Sequence, residues 1–236
     1  MTQPSLRKTH LLLGAQSIIV ILLSINRLST LTLGHVSANE FLRWVDFNNM
    51  LILPLMSTIA FYLLVKHLET NPPASRGGVT LGLNLAFIVG IYLLAASYGD
   101  HEVTNYLHVR FCLPDDGSAL CRIVIFNDDE FSHWVFFAGF TLINAAVMLY
   151  QLAFPHPGKP GRADTALLIF NGLFIGLGIF ANLAFEVIGL DLYVVAALAA
   201  LSFTLLWRNR GQPLLIYYAA AYGLGLAATF LYKTFM

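Results

Sequence analysis

The chain has 236 residues, of which 58% are hydrophobic and only 11% charged, well below the roughly one quarter usual in soluble domains. Thirteen basic and thirteen acidic residues leave a formal net charge of zero, with no basic tail or acidic block. That balance excludes nucleic acid as a partner, and the recurring apolar runs make the chain an integral membrane protein.

Seven spans follow in order, at about 10–25, 49–67, 79–97, 133–154, 165–187, 192–207 and 213–231. Several are short for a bilayer and are expected to extend at the outer end. The first follows Arg7 and Lys8 in the manner of a signal peptide, but no small-x-small cleavage site comes after it, so it reads as an uncleaved span. Pro54 is expected in the first turns of span two, where a proline disturbs a helix least. No repeat or low-complexity tract divides the chain, and residues 1–236 read as one all-α polytopic domain.

Charge bias sets the orientation. With the N-terminus cytoplasmic, the inner segments carry Arg7, Lys8, Lys66, Arg76, Lys159, Arg162, Arg208 and Arg210, against Arg27, Arg43, Arg110, Arg122 and Lys233 outside. Short loops rich in Lys and Arg stay cytoplasmic, which places the C-terminus outside, in a multi-pass protein of the plasma (inner) membrane. Eleven of the thirteen acids then fall on the outer side. Asp46, Asp128 and Asp191 among them sit where outer-facing helices begin, so the helix dipole is one account of their placement and a functional role the other.

The first outer loop contains Ser37-Ala-Asn-Glu40, a capping-box pattern, followed by Phe41, Trp44, Val45 and Phe47. It predicts a short interfacial helix, either an anchor or a roof over a site.

Residues 100–133 concentrate the chemistry: three of the seven histidines, both cysteines and seven carboxylates. Cys112 and Cys121 flank Pro114, Asp115, Asp116 and Gly117, a turn-forming set. In an oxidising compartment this predicts a disulfide-closed hairpin between spans three and four, with free thiols or metal ligation as alternatives. If span three continues as helix, His101, Asn105 and His108 share a face, with Asp100 beside it. Glu130 and His133 have the Glu-x-x-His spacing by which helical bundles present a carboxylate and an imidazole to a metal. The expected ligands are therefore His101, His108, Glu130 and His133, around a divalent metal, zinc first and iron as the alternative. Asp100 and Asp129 are candidate general bases or supporting partners. Asn182 and Glu186, one turn apart in span five, either line the same pocket, with Glu186 a third catalytic candidate, or hydrogen-bond between helices.

Gly-x-Ser-x-Gly and HExxH motifs, a Gly-rich phosphate loop and a lysine central in the last span are all missing. The histidines lack the paired depths that a b-type haem needs.

In layout, seven spans with His and Asp at helix ends resemble the membrane hydrolase superfamily of alkaline ceramidases and adiponectin-receptor-like proteins. The resemblance implies zinc held by three histidines with Asp and Ser nearby. Ser57 in span two and Asp100 and His101 at the end of span three fit it, whereas the last span has none of that family's paired histidines. No family is assigned on this basis. The functional expectation is a metal-dependent membrane hydrolase acting on a lipid or lipid-linked substrate at the outer interface. A di-iron type oxidoreductase and a cation or proton transporter or sensor are the alternatives.

Overall fold

The computed structural model describes residues 5–69, 77–114, 116–185 and 189–235. Among these, seven helices are long and apolar enough to cross a membrane: α1 (Arg7–Leu28), α2 (Trp44–Leu68), α3 (Gly77–Cys112), α4 (Ala119–Ala153), α5 (Arg162–Phe185), α6 (Leu190–Arg208) and α7 (Pro213–Phe235). Among the described residues no strand forms, and the only pairing of extended backbone is a single antiparallel bridge between His35 and Arg43.

The order and number of spans match the sequence reading, and α3 and α4 are longer than the runs 79–97 and 133–154 at the end where extension was expected. At 36 and 35 residues, each is roughly 50 Å long, some 20 Å more than a hydrocarbon core of about 30 Å requires. Nothing between Gly99 and Leu113 breaks a helix, so span three runs on to Cys112, and the chain turns at Leu113 and Pro114. Ser118 then starts α4, its hydroxyl accepting from the Cys121 N–H at 3.2 Å. The expected hairpin is thus two protruding helix ends and a tight turn. Cys112 and Cys121 pair across it as a disulfide, with Cα atoms 5.3 Å apart. Below, the end of the bundle bearing this bond is called the disulfide end.

Apolar residues at helical spacing point away from the bundle: Leu81, Leu85, Ile88 and Tyr92 on α3, and Leu55, Ile59 and Tyr62 on α2. Such stripes suit lipid as solvent. The core lies mainly among α4 to α7, where Tyr150, Leu168, Leu183, Leu198, Leu215, Tyr217 and Tyr222 are fully buried. Helix pairs meet where side chains are smallest. A Cβ on Gly139 would lie 2.7–2.8 Å from the α3 backbone at Leu94 and Gly90, and one on Gly172 would lie 2.9 Å from the Tyr217 carbonyl of α7. Only glycine allows these approaches.

One local expectation fails. Ser37 and Glu40 do not cap a helix: residues 29–43 form turns, Ser37 Oγ donates to Asn39 Oδ1, and helix begins only at Trp44. The Asn39 side chain takes the hydroxyl that the capping box needed, and Glu40 has a left-handed φ of 59°. The second span begins at Trp44 rather than Asn49, but its regular α-helix starts only at Leu53, so Pro54 keeps its expected place in a first turn. A π-helical turn at Asn48–Ile52 immediately precedes it. The Leu53 N–H bonds back to the Asn48 carbonyl, and Pro54, which has no N–H, follows at once.

Candidate functional site

Three π-helical turns occur among the described residues, Asn48–Ile52, His108–Cys112 and Asn127–Phe131, all at the disulfide end. A π turn carries its backbone hydrogen bonds one residue further back and so frees a carbonyl. In the third, the Ser132 N–H bonds the Asn127 carbonyl. The Asp128 carbonyl is left to the Ser132 hydroxyl at 2.7 Å and to His101 Nδ1 at 3.3 Å. Local backbone geometry thereby fixes where Asp128 sits between the two protruding helices.

Asp128 is the centre of the cluster. It is 1% exposed. His101, Asn105 and His108 reach it from α3, at the spacing that puts all three on one helix face. His108 Nδ1 lies 2.9 Å from Oδ2, Asn105 Nδ2 donates to Oδ2 at 3.4 Å, and His101 Nδ1 lies 3.1 Å from Oδ1. The last contact is close but off-line, so Oδ1 has no aligned donor among the described residues. The His133 ring, one helical turn along α4, sits 5.2 Å from that of His101, centroid to centroid.

Ligand atoms of His108, Asp128 and Asp129 all lie within 4.8 Å of one another, a spacing that suits a metal ion. One imidazole and two carboxylates fit zinc, iron or manganese. Among the sequence candidates, His101 and His108 converge on Asp128, and His133 reaches the cluster through the His101 ring. Asp100 is half-buried, and its Oδ2 is enclosed without a donor among the described residues. Asp129 is exposed at the edge of the cluster, while Glu130 is exposed and stands outside the group of three. Glu186 lies outside the described residues. Its neighbour Asn182 donates to Asp191 Oδ2 at 2.9 Å, a hydrogen bond between α5 and α6.

Sequence reasoning treated Asp128 as a helix-end carboxylate and missed its central place. The signal was its register: Cys121, Asp128, Ser132, Gly139 and Ile143 are all buried on one stripe of α4. Asp128 lies on that stripe; Glu130 does not. Also missed was a second polar network, one face further round α3. Glu102, buried, accepts from Arg27 Nη2 at 2.5 Å and from Asn49 Nδ2 at 3.4 Å. Asn49 Oδ1 in turn accepts from Asn26 Nδ2 at 2.7 Å. This chain of contacts ties α1, α2 and α3 together directly beside the histidine cluster. Ser57 is committed elsewhere, exchanging hydrogen bonds of 2.8 and 2.9 Å with Gln16 of α1.

No protein-family model, curated protein or solved structure matches this chain.

Proposed function

We propose that the chain is a multi-pass membrane enzyme that holds a divalent cation between the ends of α3 and α4 and hydrolyses a lipid or lipid-linked substrate there. The observation that carries this reading is the group of His108, Asp128 and Asp129, in which a fully buried carboxylate keeps one oxygen without an aligned donor. A buried acceptor left this way costs about 1–3 kcal/mol, and a cation offsets it. His108, Asp128 and Asp129 are the ligands, with zinc the first choice. His101 and Asn105 hold the Asp128 carboxylate in place, as outer-shell partners of metal sites do. Asp100 is the candidate general base. Bound in this way, a divalent cation supplies Lewis acidity toward an ester, amide or phosphoester carried by the substrate.

The orientation is proposed with it. The disulfide favours an oxidising compartment, and the Lys and Arg bias supports putting the same end outside the cytoplasm. An amphiphilic substrate then enters from the lipid side with its head in water.

A second reading rests on one observation. Asp128 already takes two imidazoles, an arrangement that serves a proton- or cation-responsive transporter or sensor equally well.

Metal analysis of the purified protein separates these classes. One zinc per chain, lost in Asp128→Asn and His108→Ala, supports the hydrolase. Two irons per chain move the assignment to an oxidoreductase. Absence of metal, with melting unchanged by a chelator, overturns the metal reading.

A further inference from the structure

A cavity of about 370 Å³ opens at the disulfide end between the 29–43 loop and α3, lined by His35, Glu40, Arg43, Tyr106, Val109 and Arg110. It lies on the face of α3 that also carries Glu102, a different face from the His101–Asn105–His108 row. The loop that forms its wall is fixed. Val36 and Trp44 donate to the Leu42 and Gly34 carbonyls at 2.8 and 2.9 Å, and the His35–Arg43 bridge sets those two residues side by side.

Tyr106 is the floor. Its hydroxyl donates to the Glu40 carbonyl at 2.6 Å, and its ring lies between two guanidinium groups, 5.1 Å from Arg43 and 5.5 Å from Arg110. The two arginines are used differently. Arg43 is neutralised by a two-bond contact with buried Asp46, at 2.8 Å from both Nε and Nη2. Arg110 has no carboxylate partner among the described residues. Its Nη1 donates to the Glu40 carbonyl and the Tyr106 hydroxyl and its plane lies near the Phe111 ring, and among the described residues Nε and Nη2 have no hydrogen-bond acceptor. The fork of Arg110 is therefore held in place by one nitrogen and open at the others. His35 lines the same cavity, and the flanking Phe41, Trp44 and Phe111 are exposed aromatics of the kind found at headgroup depth.

An oriented guanidinium with free donors, beside an imidazole and rimmed by interfacial aromatics, suits a tetrahedral oxyanion at the membrane surface. We propose that this cavity binds the phosphate of a phospholipid headgroup, with Arg110 as the principal contact and His35 as the second. The site does not depend on the metal reading, and chelation is expected to leave its affinity unchanged.

The test titrates short-chain phosphatidylglycerol, and separately inorganic phosphate, into the full-length protein in a non-ionic detergent, with binding followed by native mass spectrometry. The lipid binds wild type, Arg110→Gln weakens it about tenfold, as expected for loss of a charge-assisted bond, and Arg122→Gln, which alters an exposed arginine of α4, leaves it unchanged. Glu40→Gln tightens it by removing a like charge. Circular dichroism and the intact disulfide establish that each variant is folded. Should Arg110→Gln fail that check, Arg110→Lys and His35→Gln take its place and each weakens binding about threefold, since a lysine keeps the charge but loses the fork. Wild-type affinity in the folded variants overturns the proposal. So does binding of inorganic phosphate alone with no response to the lipid, which would make the occupant a free anion.

Discussion

The two ends of the bundle solve the problem of polar groups beside lipid in different ways. Opposite the disulfide, the polar contacts are smaller: Lys66 pairs with Glu69 at the end of α2, and the His156 N–H donates to Gln212 between two connections. His10 with Asp164, between α1 and α5, is a single part-buried contact. At the disulfide end, Asp46, Glu102, Asp128 and Asp191 are all buried, and three π turns lie beside them. A protein that needed only to end its helices would repeat the first pattern twice. Burying carboxylates costs several kcal/mol each unless partners compensate; Arg43 does so for Asp46, Arg27 for Glu102 and Asn182 for Asp191, whereas one oxygen of Asp128 has no aligned donor among the described residues. The site proposals rest on that asymmetry.

The contrast can be broken most severely at Asp128. Asp128→Ala removes the acceptor shared by His101, His108 and Asn105 and is expected to cost about 3–5 kcal/mol, the range for removing one partner of a buried ion pair. The measurement is detergent-titrated unfolding, and a loss below about 1 kcal/mol would make the cluster a surface feature. The second largest effect is expected from Cys112→Ser together with Cys121→Ser. Loop-closure entropy for so short a loop gives about 2–3 kcal/mol, together with loss of bound metal, because His108 and Cys112 share one π turn. Unfolding and metal content of the oxidised and reduced wild type check the same point without mutation. Glu102→Ala comes third, at about 1–2 kcal/mol, reduced because Arg27 is 42% exposed and recovers water when its partner is lost. The smallest effect belongs to the opposite end. Asp164→Ala is expected to change stability by less than about 1 kcal/mol, as partly exposed pairs do. If thermal melting shows Asp164→Ala to be as damaging as Glu102→Ala, the two ends are not built differently and the asymmetry loses its meaning.

A reading from the sequence alone reached the helices but stopped short of the centre of the site. Seven apolar runs, the cysteine pair around Pro114–Gly117, and the shared face of His101, Asn105 and His108 were all visible, because each depends on spacing along one segment. Asp128 was not singled out because its meaning depends on α3, and its own neighbours Asp129 and Glu130 offer the same chemistry one and two residues away. The capping pattern at Ser37–Glu40 misled for a related reason. Local propensity favours a helix there, but Asn39 and the bridge to His35 offered the backbone a competing arrangement.

What the sequence determined by itself is the number of helices long and apolar enough to cross a membrane and the pairing at the hairpin. Hydrophobicity along the chain fixes the first, since each span must satisfy its own backbone in lipid, and two cysteines admit only one intramolecular partnership. Which carboxylate is buried, which imidazoles meet it, and which arginine keeps open donors were decided only by tertiary packing. Those outcomes follow from how α3 and α4 pack along their full lengths and from the one-residue shift that each π turn introduces, and neither is written in any single segment.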